Sequence, residues 1–127
     1  MDGASFKVLL VEDEPLIALT LVDMLEELGH RPLEALNGGQ ALALFGEHSD
    51  IDLLITDLGL PDIAGDRLAE QLRAKTPLLP VIFATGHTGQ GPQPITPKPP
   101  TAHLGKPFQV AELESTIERL MTMAARG

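Results

Sequence analysis

Leu53-Leu54-Ile55-Thr56-Asp57 decides how this chain is read. An unbroken aliphatic run without polar alternation has the composition of a strand buried on both faces, and such strands belong to parallel sheets covered by helices. The run stops on a carboxylate, which a buried strand tolerates only where it emerges. Working outward, the same design repeats. Lys7-Val8-Leu9-Leu10-Val11 runs into Glu12-Asp13-Glu14-Pro15, and Pro80-Val81-Ile82-Phe83-Ala84 runs into Thr85-Gly86. A short strand over residues 102–105 meets Lys106-Pro107-Phe108, and a weaker one is expected over residues 32–36.

The intervening segments have helical period. Between residues 16 and 28, Ile17, Leu21, Met24, Leu25 and Leu28 share one face, Pro15 suits the first turn, and Gly29 supplies the stop. Asn37-Gly38-Gly39 turns into a short helix near residues 40–45. A loop over residues 58–64 leads to a helix over residues 66–75 with Leu68 and Leu72 inward. The last helix aligns Val110, Leu113, Ile117 and Leu120 and ends near residue 125. The rhythm fails over residues 86–100, where Gly86, Gly89, Gly91, Pro92, Pro94, Pro97, Pro99 and Pro100 exclude a helix. The expectation is an α/β fold with a five-stranded parallel sheet. An irregular Pro/Gly-rich loop replaces the fourth helix, and residues 1–127 form a single domain with no output domain.

Composition narrows the function. A chain of 127 residues, 43% hydrophobic and 21% charged, suits one globular domain. With no Cys, disulfides, thiol chemistry and thiolate zinc sites are excluded. Nine Lys+Arg against 18 Asp+Glu give a net charge of −9, which repels nucleic-acid backbones. No apolar run reaches the ~18–20 residues of a membrane span. Met1-Asp2-Gly3-Ala4-Ser5 lacks the basic and apolar regions of a secretory leader, so a cytoplasmic location is expected.

Functional groups of open parallel sheets gather at the carboxyl ends of the strands. Here those ends carry Glu12-Asp13, Asp57, Thr85 and Lys106. Converging carboxylates repel one another unless a cation neutralises them, and an all-oxygen ligand set suits Mg²⁺. With a lysine and a hydroxyl added, the set is equipped for in-line transfer of a phosphoryl group onto an aspartate oxygen.

In this order, and with Leu60-Pro61-Asp62-Ile63-Ala64-Gly65 after Asp57, these residues resemble the response-regulator receiver family, the phospho-acceptor domains of two-component signalling. The resemblance covers nearly the whole chain. It implies the flavodoxin-like (βα)5 fold with strand order 2-1-3-4-5. It implies that Asp57 accepts a phosphoryl group from the phosphohistidine of a histidine kinase or phosphotransfer protein. Mg²⁺ would be held by Asp13 directly, by Glu12 through water, by Asp57 and by the backbone carbonyl of Gly59. Lys106 would pair with the acceptor carboxylate and then with a phosphoryl oxygen. Thr85 would move to another phosphoryl oxygen as the first element of the switch, and the Lys106–Pro107 bond would be cis. Such a domain assists its own phosphorylation and dephosphorylation without being an enzyme acting on other substrates.

Two departures stand out. Phe83-Ala84-Thr85-Gly86 resembles the "FAT GUY" receiver subclass, often found alongside HWE-type histidine kinases, which carries an irregular segment in place of the fourth helix. His103 stands where receivers usually place Tyr or Phe. It is read either as a switch ring with some pH sensitivity or as an edge-strand histidine facing water. Gly59 and His87 flank the site as candidate modulators of phosphoryl lifetime, while His30 and His48 read as surface residues. A transition-metal site built from His87, His103 and Asp57 is disfavoured by the oxygen-rich ligand set.

The leading functional expectation is a stand-alone receiver, a relay, sink or regulator whose output is contact with a downstream protein. The strand 4–5 side is open to a homodimer, and the resemblance implies kinase docking near residues 15–20 and 58–65. The alternative is a receiver-like interaction module that works without phosphorylation. A phosphatase with an aspartyl-phosphate intermediate is weaker, because Gly59 occupies the position where a second Asp is usual.

Overall fold

The computed structural model describes residues 5–86 and 95–126. In chain order the elements are β1 (Lys7–Val11), α1 (Pro15–Glu27), β2 (Arg31–Ala35), α2 (Gly38–Glu47), β3 (Leu53–Asp57), α3 (Gly65–Lys75), β4 (Val81–Thr85), β5 (Thr96–Pro97), β6 (Pro100–Gly105) and α4 (Val110–Arg126). The sheet order is β2-β1-β3-β4-β6-β5. All pairings are parallel except that of the two-residue β5 with β6. The five parallel strands thus follow the expected 2-1-3-4-5 order, with β6 as fifth strand and α4 in the place of the fifth helix. Among the described residues no helix lies between β4 and β6.

Helices on both faces explain why the strands do not alternate: Val8, Leu9, Leu10 and Val11 are all fully buried. Leu10, Ile55 and Ile82 pack in one core with Leu21 and Leu25 of α1 and Leu113 and Ile117 of α4. Leu9, Leu54 and Val81 pack in the other with Ala41 of α2 and Leu68 and Leu72 of α3. Each such leucine or isoleucine contributes roughly 2 kcal/mol by leaving water.

Boundaries shift for local reasons. Pro15 opens α1, and Gly29 follows it at φ +89°, a conformation that favours glycine. The short helix α2 begins at Gly38, earlier than expected, because Asn37 caps it: its Oδ1 accepts the Gln40 N–H at 2.8 Å. β2 is an edge strand, which is where its Pro32 is tolerated. β5 corrects the expectation of an irregular segment up to residue 100, since Thr96 and Pro97 fold back antiparallel on Pro100 and Thr101. That strand escaped prediction because its prolines mimic loop composition. The central part of the expected loop, residues 87–94, lies outside the described residues, and His87 with it.

His30 and His48 correct a second expectation, for both are half-buried and hydrogen-bonded. His30 Nδ1 accepts the Phe6 N–H at 3.1 Å while its ring stacks on Phe6, centroids 5.3 Å apart. Burial pushes the His30 imidazole below its ordinary value, against a smaller upward pull from Glu114. Lys7 Nζ lies 3.0 Å from His48 Nδ1 and 2.8 Å from Asp50 Oδ1, and the Lys7 N–H donates to Asp52 at 2.9 Å. On the same side of the sheet, Arg73 of α3 donates to the carbonyls of Leu79 at 3.0 Å and Pro100 at 2.8 Å, and to Thr101 Oγ1 at 2.9 Å. That clamp fastens the start of β6 to α3.

Candidate functional site

At the opposite end, the carboxyl ends of β1, β3, β4 and β6 converge. β1 runs straight into Glu12 and Asp13, β3 and β4 finish on Asp57 and Thr85, and Lys106 follows β6. Glu12, Asp13 and Asp57 each offer one oxygen, and these atoms lie within 4.8 Å of one another. Glu12 is 1% exposed.

Lys106 is the counter-charge. Its Nζ lies 2.9 Å from Glu12 Oε1 and 3.3 Å from Asp57 Oδ2. Burial opposes its charge, but the hydrogen bond to Glu12 and the charges of Glu12 and Asp57 outweigh that and hold the ammonium above the ordinary lysine value. The backbone places it: the Lys106 N–H donates to the Thr85 carbonyl at 2.7 Å. Glu12 is thus the nearer partner of Lys106, and its other oxygen accepts the Glu14 N–H at 3.1 Å, just ahead of α1. No local pattern announces this link, because the two residues stand 94 positions apart.

Both Asp57 oxygens are oriented. Oδ2 faces Lys106, and Oδ1 accepts the Gly59 N–H at 3.2 Å. Behind the carboxylate, Gly65 packs so tightly on the Asp57 carbonyl that a side chain there would strike it, and the Gly65 N–H donates to Leu58 O at 2.9 Å. Thr85 Oγ1 is buried and has no hydrogen-bond partner among the described residues. Such an orphaned hydroxyl costs about 1–3 kcal/mol, so the fold bears an expense here that a ligand oxygen would relieve. Gly105 is its register neighbour on β6 and offers no side chain beside it.

Three carboxylates face one ammonium, and each unscreened pair at ~4 Å repels by several kcal/mol at the effective dielectric of a protein surface. A hard divalent cation resolves that imbalance. The donor set is oxygen only, the ligand type that suits Mg²⁺.

His103 is exposed, and its ring lies 5.3 Å from that of Phe83, its register partner on β4. Sequence reasoning missed Asp62, whose carboxylate accepts the N–H groups of Gly38 and Gly39, each at 2.9 Å. Only the pair of uncapped glycine amides after Asn37 hinted that some acceptor must reach them.

The architecture recurs in solved structures. The receiver domain of the hybrid histidine kinase CckA superposes with a TM-score of 0.75 at 30% identity, over 90% of this chain and 97% of that one. TrrA of Thermotoga maritima, solved in complex with Mg²⁺ and BeF, gives 0.77 at 29% identity over 91% and 98%. Among curated proteins, the response regulator receiver protein CpdR of Brucella abortus is 31% identical over 93% of this chain and 98% of its own length. Other relatives are far longer: the chain spans 13% of the Brucella abortus sensor kinase CckA, at 29% identity over 94% of this chain. It spans 34% of the Escherichia coli transcriptional regulatory protein CreB. The family model described as the response regulator receiver domain matches residues 8–118, from β1 into α4. With the strand order and the acidic strand ends already in place, this chain belongs to the response regulator receiver domain family.

Proposed function

We propose that Asp57 is a phospho-acceptor, charged in a Mg²⁺-dependent reaction by a histidine kinase or phosphotransfer protein. The observation that carries this reading is the pairing of an oriented Asp57 carboxylate with Lys106, beside a Thr85 hydroxyl that has no partner among the described residues. A carboxylate oxygen of Asp57 attacks phosphorus in line, the P–N bond to the donor histidine breaks, and the histidine nitrogen leaves with the electron pair and takes up a proton. Lys106 follows the developing charge onto a phosphoryl oxygen, and Thr85 Oγ1 donates to another. Asp13, Asp57, the Gly59 carbonyl and, through water, Glu12 would hold Mg²⁺, which would supply positive charge to offset the acidic cluster and the phosphoryl oxygens.

Receiver domains are signalling switches, and movement of Thr85 starts the switch in this reading. His103, exposed against Phe83, turns toward the space Thr85 leaves. The Phe83-Ala84-Thr85-Gly86 run supports the FAT GUY subclass and an HWE-type kinase as donor, and His87 and Gly59 tune phosphoryl lifetime. A groove of about 540 Å³ between α1 and the loop after β6, lined by Leu16, Ile17, Thr20, Met24, Pro107 and Phe108, receives the kinase. The output is contact with a downstream protein or a second copy through the β4–β6 side. The charge of −9 argues against nucleic acid as the partner. No helix among the described residues is long and apolar enough to cross a membrane, and the kinase partner implies a cytoplasmic location. Residues 1–127 act as one receiver domain, a reading supported by the match along CpdR.

Phosphotransfer profiling against candidate histidine kinases, with Asp57→Asn as control, tests the reading. Transfer to wild type and none to the variant is expected. Transfer that persists in the variant moves the acceptor elsewhere. No phosphorylation by any kinase, or by acetyl phosphate with Mg²⁺, leaves an interaction module that works unphosphorylated.

A further inference from the structure

The loop over residues 58–64 carries Gly59, one of the groups assigned above to the divalent ion, and its far half is tied to a different helix. Asp62 Oδ1 accepts the Gly38 N–H and Oδ2 the Gly39 N–H, both at 2.9 Å, across 24 and 23 residues of sequence. These are first-turn amides of α2, left unpaired by the helix itself, and the positive end of α2 favours the anion. The two amide bonds hold the Asp62 carboxyl below its ordinary value. Beside this bond, Ile63 presses its Cγ2 onto Gly38 so closely that any side chain at position 38 would collide with it. The near end is fixed by Gly65, which closes the loop by packing on the Asp57 carbonyl and donating its N–H to Leu58 O at 2.9 Å. The loop is therefore held at Leu58 and at Asp62, and Gly59 sits between those two points, its N–H on the acceptor carboxylate.

We propose that Asp62 is a positioning residue: its two-amide latch on α2, with the Gly38–Ile63 contact, fixes the loop so that the Gly59 carbonyl and the Asp57 carboxylate are set for the divalent ion. This rests on the reading of Asp57, Asp13 and Gly59 as the ion's ligands. The latch works through Gly59 and touches neither metal nor phosphoryl group. Position 38 is then glycine because of the loop and not because of its own backbone. Position 39 is free of that demand, since a Cβ there would meet only ordinary contacts.

The test is titration of ¹⁵N-labelled protein with MgCl₂, following the Asp13 and Gly59 amides, alongside urea unfolding of each variant. Asp62→Ala weakens Mg²⁺ about tenfold, the lower end of what losing an outer hydrogen-bond partner costs at a metal centre. Asp62→Asn falls between, because one amide oxygen replaces two carboxylate oxygens. Gly38→Ala weakens Mg²⁺ comparably, and Gly38→Ala/Ile63→Ala recovers most of the loss. Gly39→Ala binds as wild type. If Asp62→Ala loses stability yet keeps wild-type Mg²⁺ affinity, Asp62 is only a helix cap and the proposal falls. Failure of the alanine pair to recover removes the Ile63 contact from the argument. A wild-type protein that binds no Mg²⁺ overturns the metal reading and the latch together.

Discussion

The two ends of this sheet use the same kinds of side chain to opposite effect. At the amino end, Lys7, His30, His48, Asp50, Asp52 and Arg73 all have partners, and the cations Lys7 and Arg73 meet a carboxylate, a ring nitrogen or carbonyls at 2.8–3.0 Å. At the carboxyl end, three carboxylates cluster, two of them on one lysine, and a buried hydroxyl has no partner among the described residues. Charge at one end is spent on holding the molecule together. At the other it is concentrated at the strand ends, as in sites that bind a cation and an anionic group.

The contrast predicts that substitutions will separate signalling from stability. Asp57→Asn is the largest effect: phosphorylation by acetyl phosphate with Mg²⁺, read by Phos-tag mobility, disappears. Stability in urea changes by less than about 1 kcal/mol, because the lost attraction to Lys106 is offset by relief from two neighbouring carboxylates. Arg73→Ala is its mirror image. Three acceptors lose their donor, and stability falls by about 2 kcal/mol while Asp57 is still phosphorylated by acetyl phosphate. Equal damage to both properties by either variant would break the comparison.

Leu16, 79% exposed at the start of α1, sharpens it on the partner side. Leu16→Asp is expected to slow transfer from the cognate kinase about tenfold, the size of one lost apolar contact in an interface, and to leave acetyl phosphate unaffected.

The smallest effect is a pH dependence at the amino end. The folded His30 takes up a proton less readily than the unfolded chain, whose imidazole titrates near 6.5. Stability from this group is therefore complete above pH 6.5 and is lost as pH falls through the lower folded value. Urea midpoints at pH 7.5 and 5 for wild type and His30→Asn measure it, with a smaller drop expected in the variant. Asp62 acts in a separate, more acidic window, below its unfolded value of 3.8.

The carboxyl end was more legible in the sequence than the amino end, and the reason is physical. A buried strand that ends on a carboxylate or lysine announces where the chain leaves the core, so the positions of Glu12, Asp13, Asp57, Thr85 and Lys106 could be read from abrupt endings. Partnership is another matter. That Lys106 leans first on Glu12, that Asp62 caps a helix from a distant loop, and that Arg73 clamps β6 depend on tertiary approach across many residues, and no local pattern encodes it. His30 and His48 were misread because half-burial at a sheet end leaves no periodic trace. The β5 strand was hidden by its own prolines.

Those prolines have a consequence for how the molecules behave in a crowd. The two lateral strands, β2 and β5, carry Pro32 and Pro97, each lacking the amide hydrogen that another chain's ribbon would need as a docking point. Growth into fibrils by edge-on addition is thereby discouraged from left and right alike, and a concentrated solution of this protein is expected to remain free of thioflavin-positive aggregate.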